Sequence, residues 1–201
     1  MMIEEKLIAS GITSIAGVDE AGRGACAGPL VVAAVILKNP HNNDLAEVKD
    51  SKELTAGKRE ELFEVIIRHS THHSIIEITP QEIDDIGLHR SNLEGMRRAI
   101  SALGIEPQYV LTDGYEIEGL SSPSLAVWKG DQVAPSISAA SILAKVHRDR
   151  LMEKLDSMFP GYGLATHKGY VTRAHEKALM ELGVSPIHRR SYANISALLN
   201  S

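Results

Sequence analysis

Hydrophobic and polar positions alternate along the chain in two rhythms. From Leu30 to Leu37 every position is apolar, which predicts a short strand buried on both faces, and a smaller apolar segment from Ile15 ends at Asp19-Glu20. Tyr109-Val-Leu-Thr-Asp113 reads as another buried strand, and His72–Thr79 and Ser124–Trp128 as shorter ones. Elsewhere the spacing is helical. Ile3–Ala9 predicts a short amphipathic helix ended by Gly11, and Thr55 is a fitting N-cap for a helix through Arg68, with Leu62, Phe63, Val65 and Ile66 on its buried side.

Thr79-Pro80-Gln81-Glu82 has the order of a capping box, and a longer helix is expected from Ser91 to Leu103, stopped by Gly104. Ile137, Ala140, Ala144, Leu151, Leu155 and Met158 recur on one helical face, ending at Pro160-Gly161. Lys145, Arg148 and Arg150 read as mostly off that face, and Asp131 as the cap ahead of it. Two further helices, Val171–Leu182 and Tyr192–Leu199, close the chain. The sum is an α/β layer architecture, expected to be one domain over residues 1–201 with a helical C-terminal part from about 171. No repeat or long linker divides it.

Composition narrows the functional classes. Among 201 residues, 43% are hydrophobic, enough for a sizeable core. The one cysteine, Cys26, forms no internal disulfide, and an acidic N-terminus without an apolar signal predicts a cytoplasmic protein. No apolar run approaches membrane-spanning length, so no membrane partner is expected. Twenty-one basic against 26 acidic residues give a net charge of −5, which argues mildly against nucleic acid, although a local basic groove can coexist with an acidic average.

The informative chemistry is carboxylate chemistry. Asp19, Glu20, Asp113 and Asp131 stand beside glycines where the chain turns. Each alone reads first as a turn former or helix cap. Gathered at one sheet edge they would repel one another unless cations intervened, and hard oxygen donors without companion histidines or cysteines point to Mg²⁺ or Mn²⁺. Two such ions are a common device for phosphodiester cleavage. Adjacent strand residues face opposite ways, so Asp19 and Glu20 share a site only if the strand breaks at once, which Gly22 and Gly24 permit. Gly22-x-Gly24-x-x-Ala27 also matches a dinucleotide-binding fingerprint, but Gly28-Pro29 and a strand follow it where a helix is required. His69, His72 and His73 lack a matching ligand set and read as helix-end and strand residues.

Taken in order, Asp19-Glu-Ala-Gly-Arg-Gly24 with Ala27-Gly-Pro29, Asp50-Ser-Lys52, Asp113-Gly114, Lys129-Gly-Asp131, Ser138–Lys145 with Arg148-Asp149, and His167-Lys-Gly-Tyr170 resemble the motif set of the ribonuclease HII family. The resemblance covers about residues 15–192. It implies an RNase H-like fold, a central mixed β-sheet flanked by helices. It also implies an endonuclease that cuts the RNA strand of RNA–DNA hybrids and the 5′ side of single ribonucleotides in duplex DNA, leaving 3′-hydroxyl and 5′-phosphate ends. By the same resemblance Asp19, Glu20, Asp113 and Asp131 are the metal-binding catalytic acids, Gly22, Arg23 and Gly24 meet the 2′-hydroxyl, Tyr170 packs on the following deoxyribose, and Lys52 holds phosphate. Glycines that let the backbone reach the sugar, and a ring that suits a sugar without a 2′-hydroxyl, are physically consistent with that division.

Lys145, Arg148, His167, Lys168, Arg189 and Arg190 are further candidates for a basic track, and Lys145 alternatively steadies a carboxylate. Ala25-Cys26 departs from the proline and leucine common in the family, so a less rigid turn and thiol sensitivity are expected there. The related type III enzymes carry an added N-terminal domain, for which the residues before Ile15 leave no room. A monomer acting on RNA–DNA hybrid and ribonucleotide-containing duplex is expected. The alternative is a binding protein of the same fold that has lost cleavage, against which the four acids argue.

Overall fold

A computed structural model describes residues 3–48 and 54–200. Five strands form one mixed sheet in the order β3-β2-β1-β4-β5: β1 (Ile15–Ala21), β2 (Leu30–Leu37), β3 (Ser70–Ile78), β4 (Tyr109–Asp113) and β5 (Ser124–Val127). The first three run as an antiparallel meander, while β4 lies parallel to β1 and β5 parallel to β4. β2 is buried at all eight positions, as its unbroken apolar run predicts. Its odd positions, Val31, Ala33, Val35 and Leu37, pack against α2 (Ala56–His69) and α6 (Pro135–Met158). Its even positions, Leu30, Val32, Ala34 and Ile36, pack against α3 (Pro80–Ile86) and α4 (Leu88–Ser101). The period of two thus divides one strand between two cores.

Helix α6 reaches the sheet closely because β1 has Gly17. A Cβ at that position would stand 2.1 Å from the Ser136 carbonyl carbon, closer than any van der Waals contact permits. The start of α6 also differs from expectation. Asp131 does not cap it but lies inside a separate turn, α5 (Gly130–Val133), and Pro135 then opens α6 after an extended Ala134. A proline at the first helical position disfavours helical geometry in the residue before it, so the helix restarts there. Its cap comes from elsewhere. Glu4 of α1 (Ile3–Ala9) accepts from the Ser136 backbone N–H at 2.8 Å and the Ser136 hydroxyl at 2.6 Å, and burial pushes its carboxyl above the ordinary range.

Other boundaries follow local chemistry. The Thr79–Glu82 capping box is present at the head of α3, and Thr55 caps α2. β3 starts two residues earlier than expected and α4 three residues earlier. A one-turn helix α7 (Leu164–His167) went unforeseen, and α8 (Arg173–Leu182) begins after its N-cap Thr172. α8 and α9 (Ala193–Leu199) pack with Cys26, Ala27, Met152 and Tyr162 into a third apolar cluster, which lies behind the glycine-rich turn. Among the described residues no helix is long and apolar enough to cross a membrane.

Candidate active site

The parallel pairing of β1 with β4 decides where the acids meet. Their register ends at Val18–Thr112, so the next residues along the two strands are Asp19 and Asp113. Asp113 in turn pairs with Val127 of β5, which leads through Trp128-Lys129-Gly130 to Asp131. The ends of β1 and β4 and the turn after β5 therefore bring acids to one edge of the sheet. Glu20, Asp113 and Asp131 line an open pocket of about 320 Å³, together with Gly114, Tyr115, Trp128, Lys129 and Gln132.

Asp19 lies behind this pocket and is buried. Its own Oδ1 accepts the Glu20 N–H at 2.7 Å, and the Ser141 hydroxyl of α6 also bonds it. Burial first, and then the charges of Glu20 and Asp113, hold its carboxyl well above the usual range, outweighing those two hydrogen bonds. The shift thus reflects a buried position that also faces negative charge. Asp113 is steadied by the Gly130 N–H, which donates to Oδ1 at 2.7 Å. The Asp131 carbonyl accepts the Ser138 hydroxyl at 2.7 Å. Contrary to the expectation of an immediate break, β1 continues one residue past Glu20 and turns at Gly22, where φ is +90°.

Among the described residues, no three His, Cys, Asp and Glu side chains already form a metal cage. The donor set nonetheless fits a hard divalent cation: all carboxylate oxygen, open to water, and short of positive charge apart from Lys129 on the rim. Ions of that kind keep several waters and need few protein ligands at once.

The glycine-rich turn adjoins the pocket through Arg23. Its guanidinium donates to the Tyr115 hydroxyl and lies 4.7 Å from the centre of that ring. On the other side of the turn, Gly24 stands beside Tyr170, whose ring would meet a Cβ there at 3.7 Å. Tyr170 is 39% exposed. The acids, Arg23, Gly24 and Tyr170 thus form a continuous surface, whereas Lys52 lies outside the described residues.

The proposed basic track is not there in the expected form. Arg148 and Arg189 are fully buried and serve the turn from behind. Arg148 donates to the carbonyls of Pro29 (2.9 Å), Lys168 (2.9 Å) and Ala27 (3.2 Å). Arg189 donates to the carbonyls of Gly28 (3.0 Å) and Arg23 (3.1 Å) and to the Tyr192 hydroxyl (2.7 Å). Burial pushes the Arg148 guanidinium down to about 10, which still leaves it charged at neutral pH. Lys145 pairs with Asp149 and Lys168 with Glu153, His167 bonds the Tyr162 carbonyl, and Arg190 remains exposed.

Cys26 is likewise buried, so the expected thiol sensitivity has no accessible sulfur to act on. Its N–H donates to the Gly169 carbonyl at 3.0 Å and its carbonyl accepts from Arg189, lacing the turn to the Tyr170 segment. His175 bonds the Tyr170 carbonyl at 3.0 Å and His188 at 3.1 Å. Sequence reading missed Tyr115, Trp128, Gln132 and Ser141. Tyr115 and Gln132 stand within two residues of a recognised acid, Ser141 lies within a quoted motif and Trp128 directly precedes one, and that proximity was the available signal.

Comparison with known proteins gives a consistent picture. The family model described as Ribonuclease HII matches residues 16–195. A Ribonuclease HII of Rhodococcus erythropolis is 53% identical over 195 residues, covering 97% of this chain and 86% of the relative. One of Mycobacterium avium is 52% identical over 198 residues, covering 98% and 86%. Among solved structures, ribonuclease H2 from Pyrococcus horikoshii superposes with a TM-score of 0.81 at 32% identity, over 93% of this chain and 97% of that one. The RNase HII in a PCNA complex from Archaeoglobus fulgidus gives 0.77 at 30% identity, over 89% and 95%.

Proposed function

The chain belongs to the ribonuclease HII family, with the RNase H-like fold and the type 2 RNase H nuclease activity of that family, and from this premise we propose its substrate and chemistry. It cuts the RNA strand of RNA–DNA hybrids and the 5′ side of single ribonucleotides in duplex DNA, leaving 3′-hydroxyl and 5′-phosphate ends. Asp19, Glu20, Asp113 and Asp131 are the catalytic acids and the ligands of Mg²⁺ or Mn²⁺. The observation that carries this reading is the convergence of Glu20, Asp113 and Asp131 on one open pocket, with Asp19 behind them raised above the usual carboxylate range by burial first and then by the charges of Glu20 and Asp113.

When bound there, divalent ions supply neutralisation of the carboxylates and Lewis acidity toward a phosphate. The chain's own groups do the rest. Gly130 N–H fixes Asp113, and Ser141 fixes Asp19. Arg23, held at its carbonyl by Arg189 and at its guanidinium by Tyr115, fixes the turn that meets the 2′-hydroxyl. Gly24 leaves its backbone open to a sugar, and Tyr170 next to it receives the following deoxyribose. Recognition and cleavage are therefore coupled by position: a sugar misplaced at Gly24 moves the phosphate away from the acids.

The test is cleavage of a labelled hybrid and of a duplex with one embedded ribonucleotide. Asp19→Asn is expected to abolish cutting of both while leaving binding largely intact, and chelation of divalent ions to do the same reversibly. Undiminished cutting by Asp19→Asn would remove these acids from the chemistry.

A further inference from the structure

Trp128 is the one tryptophan of the chain and is 82% exposed, the most exposed of the large apolar side chains among the described residues. It is not in a loose loop. The Val127 carbonyl just before it accepts the Gly114 N–H at 3.0 Å, and the Gly130 N–H two residues after it donates to Asp113 at 2.7 Å. Both clamps belong to the segment that carries Asp113. Lys129 between them is held in the left-handed region, φ 53° and ψ 48°, a conformation that costs a non-glycine residue free energy and persists only where its surroundings enforce it.

The backbone is thus fixed, and it presents a large indole to water on the rim of the pocket lined by Glu20, Asp113 and Asp131. Among the described residues that ring belongs to none of the apolar clusters and lies beyond the end of β5. Its neighbour Lys129 is the one cation among the described lining residues. A flat apolar face and a cation, side by side next to a phosphate site, match the alternation of sugar and phosphate along a nucleic acid strand.

We infer that Trp128 is a substrate-binding residue, its indole packing on the sugar face of a nucleotide of the cleaved strand beside the reacting phosphate, with Lys129 on the adjoining phosphate. This rests on the nuclease reading above. It adds a second aromatic contact at the acid pocket, separate from Tyr170 beside Gly24. The contact is to the strand's sugar–phosphate face, so it is insensitive to base sequence.

The single tryptophan makes the test direct. The protein is titrated with a fluorescently labelled RNA–DNA hybrid in chelator, so that binding is followed by label anisotropy without cleavage, while indole emission and its quenching by acrylamide are read in parallel. Emission is expected to change in step with anisotropy, and acrylamide quenching to fall by at least half at saturation. In cleavage assays Trp128→Ala is expected to raise KM about tenfold, equivalent to about 1.4 kcal/mol, with a smaller change in kcat and an unchanged melting temperature. Trp128→Phe is expected to recover most of the loss. A parent that binds and cuts the hybrid with unaltered indole emission, or a Trp128→Ala variant with parental KM, overturns this inference and leaves the nuclease reading standing. A parent that neither binds nor cuts the hybrid overturns both.

Discussion

Replacing Gly22 by alanine tests the idea that the glycine-rich turn is braced from behind by a buried arginine. At Gly22 φ is +90°, and a Cβ would stand 1.8 Å from Arg148 Nε and 2.4 Å from its Cδ. Two costs follow. Holding an alanine at positive φ costs roughly 1–2 kcal/mol. Arg148 must also move, and its Nε–H is the donor to the Pro29 carbonyl at 2.9 Å, so a buried acceptor loses its partner for roughly 1–3 kcal/mol.

The sum is about 2–5 kcal/mol. For a chain of this length each kcal/mol shifts the melting temperature by about 2–4 °C, so a fall of about 10 °C is expected by circular dichroism or differential scanning fluorimetry. The two costs can be separated in a double-mutant cycle with Arg148→Ala. Alanine ends at Cβ and so removes the Cδ, Nε and Cζ atoms in the way, and Gly22→Ala should cost less in that background, retaining only the backbone strain. A melting temperature within about 1 °C of the parent, or equal costs in the two backgrounds, would refute the bracing argument.

Three other outcomes follow from the same geometry. Asp19→Asn, besides ending cleavage, should raise the melting temperature of the metal-free protein by a few degrees, because it removes a buried charge that Glu20 and Asp113 oppose; a lower value would mean the carboxylate is stabilising where it stands. His188 is pushed down to about 4 by burial and by His175, against about 6.5 in an unfolded chain, so it is neutral in the fold and its stabilisation is complete only above pH 6.5. As pH falls the unfolded chain takes up the proton first, and about 2 kcal/mol is lost by pH 5 and all of it below pH 4; urea midpoints that do not drop between pH 7.5 and pH 5 would contradict this. Tyr170→Ala should slow cutting at a single embedded ribonucleotide more than cutting within a long hybrid, since only the former requires a deoxyribose to be told from a ribose at the next position; equal slowing would make Tyr170 merely structural.

What the sequence disclosed, it disclosed through local rules. The run Leu30–Leu37 could only be a strand with both faces covered, and the odd–even split of its residues between two helix layers follows from strand geometry alone. The capping box at Thr79–Glu82 formed as its residue order requires. The acids could be nominated because each stood beside a glycine at the end of an apolar segment, and parallel pairing does bring such ends together. None of this required knowing which strand lies beside which.

What it hid was non-local. Arg148 follows Ala144 by four residues and precedes Met152 by four, so it lies on the buried stripe of α6, yet its charge made it read as surface. The reason for its burial is 119 and 121 residues away, in the carbonyls of Pro29 and Ala27 that the turn leaves without strand partners. Arg189 answers the same need at Gly28 and Arg23. A turn that must present its outer backbone to a sugar cannot satisfy its inner carbonyls with regular secondary structure, and a guanidinium supplies several donors from one buried side chain where lysine would offer a mobile point charge. That requirement predicts that Arg148→Lys, although it keeps the charge, should resemble Arg148→Met more than the parent, both in melting temperature and in KM for the hybrid. A lysine variant with parental values would show that charge alone, and not the fan of donors, holds the turn in place.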